Sequence, residues 1–210
     1  MTPRIEILLT RWQAEDDQAL VNKGQDTWKR DAVKTAGHFV AQFLPSPASN
    51  PPKLQLVFGG GAKDTQAYVN VTFPAAGGGT PRITKITLSR LAWGANSIWE
   101  VTAVQADWMS ISSPQSGLST YISTPVTVSG SGPTFEGQIG VVQVLDHLYQ
   151  QIGWTSVMAP SGGKSQPFTV TFPYASSFGT GTQEGIVILR HTGGAPFDYG
   201  VVMVKVLVNP

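Results

Sequence analysis

The chain has 210 residues, with 14 Lys+Arg against 13 Asp+Glu, three His and no Cys. Without cysteine there is no disulfide scaffold, Cys zinc site, iron–sulfur cluster or thiol nucleophile, and a net charge of +1 gives no electrostatic reason to expect nucleic acid or an anionic membrane surface. A hydrophobic fraction of 41% supports a core, while the charged fraction is only 13%, against roughly 25% in ordinary domains.

Divided at Trp108, the chain carries 20 charged residues in its first 108 positions and 7 in the remaining 102. That step predicts two domains, 1–108 and 109–210, each near the common domain size. No run approaches the roughly 18 apolar residues of a membrane span. Ile5–Leu9 is interrupted by Glu6 and is too short for a signal-peptide core. The chain therefore reads as soluble, with any signal or membrane anchor lying outside it.

The first helix candidate, Thr10 to Val21, carries Glu15, Asp16 and Asp17. These read as a solvated helix face, because the alternation and glycine of a calcium loop are missing. From Asp26 to Leu44, Trp28, Ala32, Val33, Ala36, Phe39, Val40, Phe43 and Leu44 recur at spacings of three and four and predict one long helix. Asp26 or Thr27 is its expected cap, and Pro45 with Pro47 its expected stop. The pattern then changes to period two over Leu54–Phe58, Ala67–Phe73, Ile83–Leu91 and Ile98–Val104, punctuated by Gly59-Gly60-Gly61 and Gly77-Gly78-Gly79. Helices followed by a meander predict an α+β domain with its sheet packed on the long helix. This order, ending in Arg90 and Trp99-Glu100-Val101, resembles the curved-sheet cone of the nuclear-transport-factor-like superfamily. It is also similar to membrane-proximal domains of exported bacterial proteins. The resemblance implies a small-ligand pocket or an active site in the mouth of the sheet, the latter requiring an acid–base pair. His38 is the histidine of this half and falls on the helix, where it reads as a surface or core residue.

In the second half, Met109–Ile111, Val126–Ser129, Gln138–Leu145, Gly153–Val157, Phe168–Phe172, Gly185–Arg190 and Val201–Val208 alternate with turn signals and predict an antiparallel β-sandwich. Within it, Ile111-Ser112-Ser113-Pro114-Gln115-Ser116-Gly117, then Ser123-Thr124-Pro125-Val126-Thr127-Val128-Ser129-Gly130, then Phe135-Glu136-Gly137 leading to Val144-Leu145-Asp146 resemble the bacterial spore-germination-associated immunoglobulin-like domain. The resemblance covers about Met109 to Asn209. It implies an immunoglobulin-like sandwich that serves as an extracytoplasmic accessory domain, without catalytic residues. Proposed roles for that family are adhesion, assembly of envelope or spore complexes, and contact with cell-wall polymer. The chain departs from the family at His147-Leu148-Tyr149, which replaces a glycine-led turn. Phe135 is expected to plug an open end of the sandwich, and Glu136 to bond backbone donors in the next turn.

The sequence excludes more reactive chemistry than it supports. Gly163-Lys164-Ser165 is similar to the end of a phosphate-binding loop, but Met158 stands where the first glycine belongs and Gln166–Val170 reads as a strand. His38, His147 and His191 are too widely spaced for a helical metal pair, and no G-x-S-x-G elbow surrounds a serine. The expectation is a protein without catalytic residues, metal or cofactor. Trp154, Tyr174 and Phe178 lie in or beside Gly/Ser-rich segments and are the candidate glycan or partner contacts, with core packing as the plainer alternative. The expected function is a non-enzymatic, extracytoplasmic binding and assembly module of the bacterial envelope, on the cell surface or secreted. Its expected partners are envelope proteins or cell-wall polymer, and the alternatives are a glycan- or peptidoglycan-binding module or a ligand pocket in the first domain. Trp93, Trp99 and Trp108 flank the domain junction and are expected to lock it. A single cooperative calorimetric transition is then predicted, and two well-separated transitions would refute the lock.

Overall fold

The computed structural model describes residues 11–44, 51–73, 81–90, 94, 96–117, 119–147, 149–160, 165–176, 178–191 and 200–210. Among the described residues the fold is mostly antiparallel β-sheet with two short α-helices and a sandwich-like arrangement of strands. The chain divides into two compact units, Met1–Pro74 with Ile83–Val104 and Ala75–Arg82 with Gln105–Pro210. Pro45, Pro47, Gly77-Gly78-Gly79, Trp93, Gly163 and Lys164 lie outside the described residues.

The first unit begins with α1, Arg11–Asn22, followed by a 3₁₀ turn, Thr27–Arg30, and α2, Ala32–Phe43. The long helix expected from Asp26 is therefore broken in two. Asp26 adopts a left-handed conformation, φ 45°, and its carboxylate accepts the Trp28 indole N–H at 3.2 Å instead of capping a helix. The cap is Asp31, whose Oδ1 accepts the amides of Val33 and Lys34 at 2.9 and 3.0 Å. From that start, Ala32, Thr35, Ala36, Phe39, Val40 and Phe43 form one buried stripe.

Four strands follow in the order β1 (Lys53–Gly59), β2 (Gln66–Phe73), β3 (Arg82–Ser89) and β4 (Glu100–Ala106). β2 alternates strictly, burying Ala67, Val69, Val71 and Phe73, and β3 buries Thr84, Ile86 and Leu88. Helix α2 packs against β1 and β2. β1 contains one inserted residue: Leu56 pairs with Val69 and Phe58 with Tyr68, leaving Val57 without a partner across the ladder.

The second unit has two facing sheets. One has the order β10 (Ser165–Phe172), β7 (Val126–Pro133), β5 (Ser110–Ser113). The other runs β12 (Gly200–Val208), β11 (Gln183–His191), β8 (Gln138–Leu145), β9 (Gln151–Met158), with the two-residue β6 (Tyr121–Ile122) parallel to β12. Sequence reading misses β6, because two residues carry no periodicity. Val126, Val128, Phe168 and Phe172 from the first sheet form one core with Ile139, Val142, Val144, Val187, Leu189, Val202, Val204, Val206 and Val208 from the second. Gly130 is required where β5 lies against β7, since a Cβ there would stand 2.0 Å from the Ser110 carbonyl oxygen.

The β8–β9 connection forms without a leading glycine. Asp146, fully buried, accepts the Gln150 amide at 3.0 Å through Oδ1, and Tyr149 takes the left-handed conformation at φ 59°. Phe135 does not plug the sandwich. It is 40% exposed, at the start of the Phe135–Gln138 turn, and is not among the residues of the core. Glu136 is exposed in that turn at φ 49°.

Asp31→Ala removes a helix cap and is predicted to lower stability by about 1 kcal/mol. Asp26→Ala, at the expected but unused cap, has a smaller effect on the urea midpoint. Gly130→Val, forced against the Ser110 carbonyl, costs more than either.

Candidate binding surface

The structure separates the three aromatic candidates. Trp154 is 57% exposed on β9, the end strand of its sheet. Tyr174 is buried, which removes it from any ligand-facing role. Its hydroxyl donates to the carbonyls of Ile122 and Asn209, at 2.9 and 2.8 Å, and its amide donates to Thr124 Oγ1 at 3.1 Å. Burial raises the phenol above its ordinary pKa. Tyr174 thus ties the segment after β10 to β6 and the end of β12. A Cβ at Gly153 would stand 2.6 Å from Tyr174 Cβ, so the neighbouring position on β9 must be glycine. Phe178 is half-buried and packs on the same core. Both residues follow the packing alternative, for a reason the Gly/Ser-rich context conceals: the loop folds back over the sandwich.

An inserted residue decides where Trp154 points. Val144 pairs with Gly153 and Leu145 with Gln151, so Ile152 is extra in β9 and packs on the core. Val157 is also in the core, and alternation sends Trp154, Ser156 and Met158 to the other face, where Met158 is 63% exposed. Trp154 lies opposite Gln143 on β8. The Gln143 amide donates to Gln151 Oε1, and Arg190 on β11 donates to Gln143 Oε1 at 3.4 Å. Burial lowers the Arg190 guanidinium below its ordinary pKa. An exposed indole therefore stands beside two primary amides and a guanidinium on a sheet surface.

The histidines are dispersed. His38 stacks on Trp28 with centroids 3.9 Å apart, His191 is buried with Nδ1 against the Ile139 carbonyl, and His147 is half-buried beyond β8. No group of three metal-ligating side chains occurs among the described residues. No described helix is long and apolar enough to cross a membrane. Ser165 opens strand β10, where a phosphate-binding loop would require a helix. Trp99 lies within the first unit under the Arg90 guanidinium, 3.8 Å from its ring centroid, while in the second unit Trp108 packs edge-on to His191.

Sequence reading also missed a buried ionic cluster in the first unit. Lys29 Nζ contacts Asp17 Oδ2 and, at 3.3 Å, Glu100 Oε1, with side-chain exposures of 2%, 13% and 7%. Asp17 therefore does not belong to a solvated face, although Glu15 and Asp16 are exposed. Lys29 also accepts the Trp99 amide through its carbonyl oxygen, joining the 3₁₀ turn to the start of β4. Burial pulls the ammonium pKa down, but Glu100 and Asp17 outweigh it and leave the group above the ordinary lysine value. The only advance signal was a lysine inside an apolar pattern. Elsewhere the inner faces of β2 and β3 are filled chiefly by Val69, Val71, Phe73, Ile86 and Leu88.

No protein-family model matches the chain, and no curated protein or solved structure matches it.

Removing Lys29 strands carboxylates that water reaches poorly. Lys29→Ala is predicted to cost about 3–5 kcal/mol, as for other broken buried pairs, and Lys29→Met with Glu100→Gln to recover part of it in urea unfolding. Because the folded pKa is raised, the lysine's contribution is fully present below its unfolded value near 10.5 and is lost as pH rises through the higher folded value. Alkaline titration of stability is therefore expected to narrow the gap between wild type and Lys29→Ala as pH rises through that range.

Proposed function

We propose that the chain is a non-enzymatic, extracytoplasmic binding and assembly module of a bacterial cell envelope, acting through protein–protein contacts on the outer face of β9. One observation carries the reading: Trp154 and Met158 stand 57% and 63% exposed on the same face of an end strand. Exposed tryptophan and methionine suit interfaces for different reasons: the rigid indole buries large apolar area at little entropic cost, and the flexible thioether adapts to irregular surfaces. Lys29, His38 and His191 are engaged within the fold: Lys29 is ion-paired with Asp17 and Glu100, and the two histidines are packed on aromatic rings.

The immunoglobulin-like reading of the second unit is supported by strand order. β5, β7 and β10 oppose β6, β12, β11, β8 and β9, which is the pattern of a sandwich whose C, F and G sheet has gained an extra strand. Tyr174 holds its corner as a buried tyrosine does in such sandwiches, by donating to backbone carbonyls. The α+β cone reading of the first unit is supported by the packing of α2 on β1 and β2. The envelope location and the sporulation link rest on the resemblance described from the sequence.

A second reading, a glycan- or peptidoglycan-binding surface, is favoured by the polar groups beside the indole. Gln143, Gln151 and Arg190 supply donors and acceptors of the kind sugar hydroxyls require, next to a ring on which a pyranose can stack.

Immobilised chain is expected to retain defined envelope proteins, with retention lost in Trp154→Ala and reduced in Met158→Ala. Purified cell wall is expected to pass through. Wall retention abolished by Trp154→Ala would move the site to the glycan reading, and unchanged protein retention in both variants would remove β9 from the interface.

A further inference from the structure

The first unit carries a second exposed aromatic group, separate from Trp154. Phe58, 56% exposed, stacks on Tyr68 with centroids 5.1 Å apart, and Lys85 Nζ lies 4.0 Å from the Tyr68 ring centroid. Since β1, β2 and β3 are neighbours, these side chains form a row across three strands. The insertion at Val57 places Phe58 there. Leu54 pairs with buried Val71 and Leu56 with buried Val69, and Leu54 lies towards Gly37 of α2. One extra residue turns Phe58 to the opposite face, with Tyr68. Register puts Lys53 opposite Thr72 and Gln55 opposite Asn70 on that same face.

Charge narrows the ligand. β1, β2 and β3 contain no Asp or Glu. The nearest acidic groups are engaged: Asp64, in the β1–β2 turn, accepts the Gly61 amide at 2.8 Å, and Glu100 on β4 is paired with Lys29. The Lys85 ammonium meets a ring and, among the described residues, no carboxylate. We propose that this open face binds an acidic glycan, a polymer of pyranose rings bearing carboxylates. The apolar face of one sugar stacks on Phe58, its carboxylate is drawn to Lys85, and Gln55 and Asn70 supply amides for its hydroxyls. A single exposed ring and sparse cations suit this ligand better than single-stranded nucleic acid, which takes successive stacking rings along a strongly basic groove.

The test is affinity electrophoresis of the full chain through gels containing polygalacturonate, dextran or poly(U). Polygalacturonate is expected to retard the protein and dextran to leave it unretarded. Lys85→Gln and Phe58→Ser should each weaken retardation about tenfold, the size of one lost charge-assisted contact for the lysine and of one lost stacking contact for the ring, while Lys85→Arg retains it. Matching unfolding midpoints show that the variants are folded. Trp154→Ala leaves retardation intact, so failure of the β9 interface and failure of this site read out separately. No retardation by polygalacturonate, equal retardation by dextran, or retardation unchanged in both variants would overturn the proposal. Stronger retardation by poly(U), lost in Lys85→Gln, would overturn the glycan and reassign the face to nucleic acid.

Discussion

The period-two alternation of a β-strand, and its interruption by single inserted residues, is the constraint on which the surfaces of this protein depend. A strand that buries one face must keep its register, because a shift of one residue sends every later side chain to the other side. The chain breaks that rule in β1 and in β9. Val57 is extra in β1 and Phe58 follows it; Ile152 is extra in β9 and Trp154 follows two residues later. In each case a ring that continuous alternation would direct towards a core stands on the outer face. Bulges at sheet edges are a usual means of re-aiming side chains and of discouraging further strand pairing. Here they do so beside exposed aromatic surface.

The two units meet the problem of buried polarity in different ways. The first places Lys29 between Asp17 and Glu100 and uses the lysine carbonyl to hold the Trp99 amide. This assembly is worth little relative to apolar packing, but removing one member leaves the others poorly solvated. The second unit fills its core chiefly with valine, isoleucine, leucine and phenylalanine from two facing sheets. Its buried polar residues include Tyr174 and Asp146, which bond to backbone groups at loop corners. A low charge content is therefore compatible with well-anchored loops.

The strands of both halves were legible because β-branched and aromatic residues alternated between turn signals, and all the major strands lie where those runs occur. The helix was legible as an apolar stripe but not in its boundaries. Asp26 and Asp31 are both good capping residues, and only the left-handed backbone at Asp26 with its Trp28 contact excludes the first. Gly/Ser-rich context implies a loop and makes Tyr174 and Phe178 candidate surface aromatics, with core packing the plainer alternative. Context does not say whether that loop folds over the core, and in this case it does. Lys29 and Glu100 are 71 residues apart, so no local pattern could pair them.

The sequence by itself determined the predominance of β-structure, the place of α2 and the scarcity of charge after Trp108, since these follow from residue type and short-range period. Only the tertiary structure decided which aromatic residues are surface and which are core, where register shifts, and which carboxylates meet Lys29. Those outcomes depend on partners brought together from distant parts of the chain. A single inserted residue reverses the facing of a strand while leaving its composition almost unchanged.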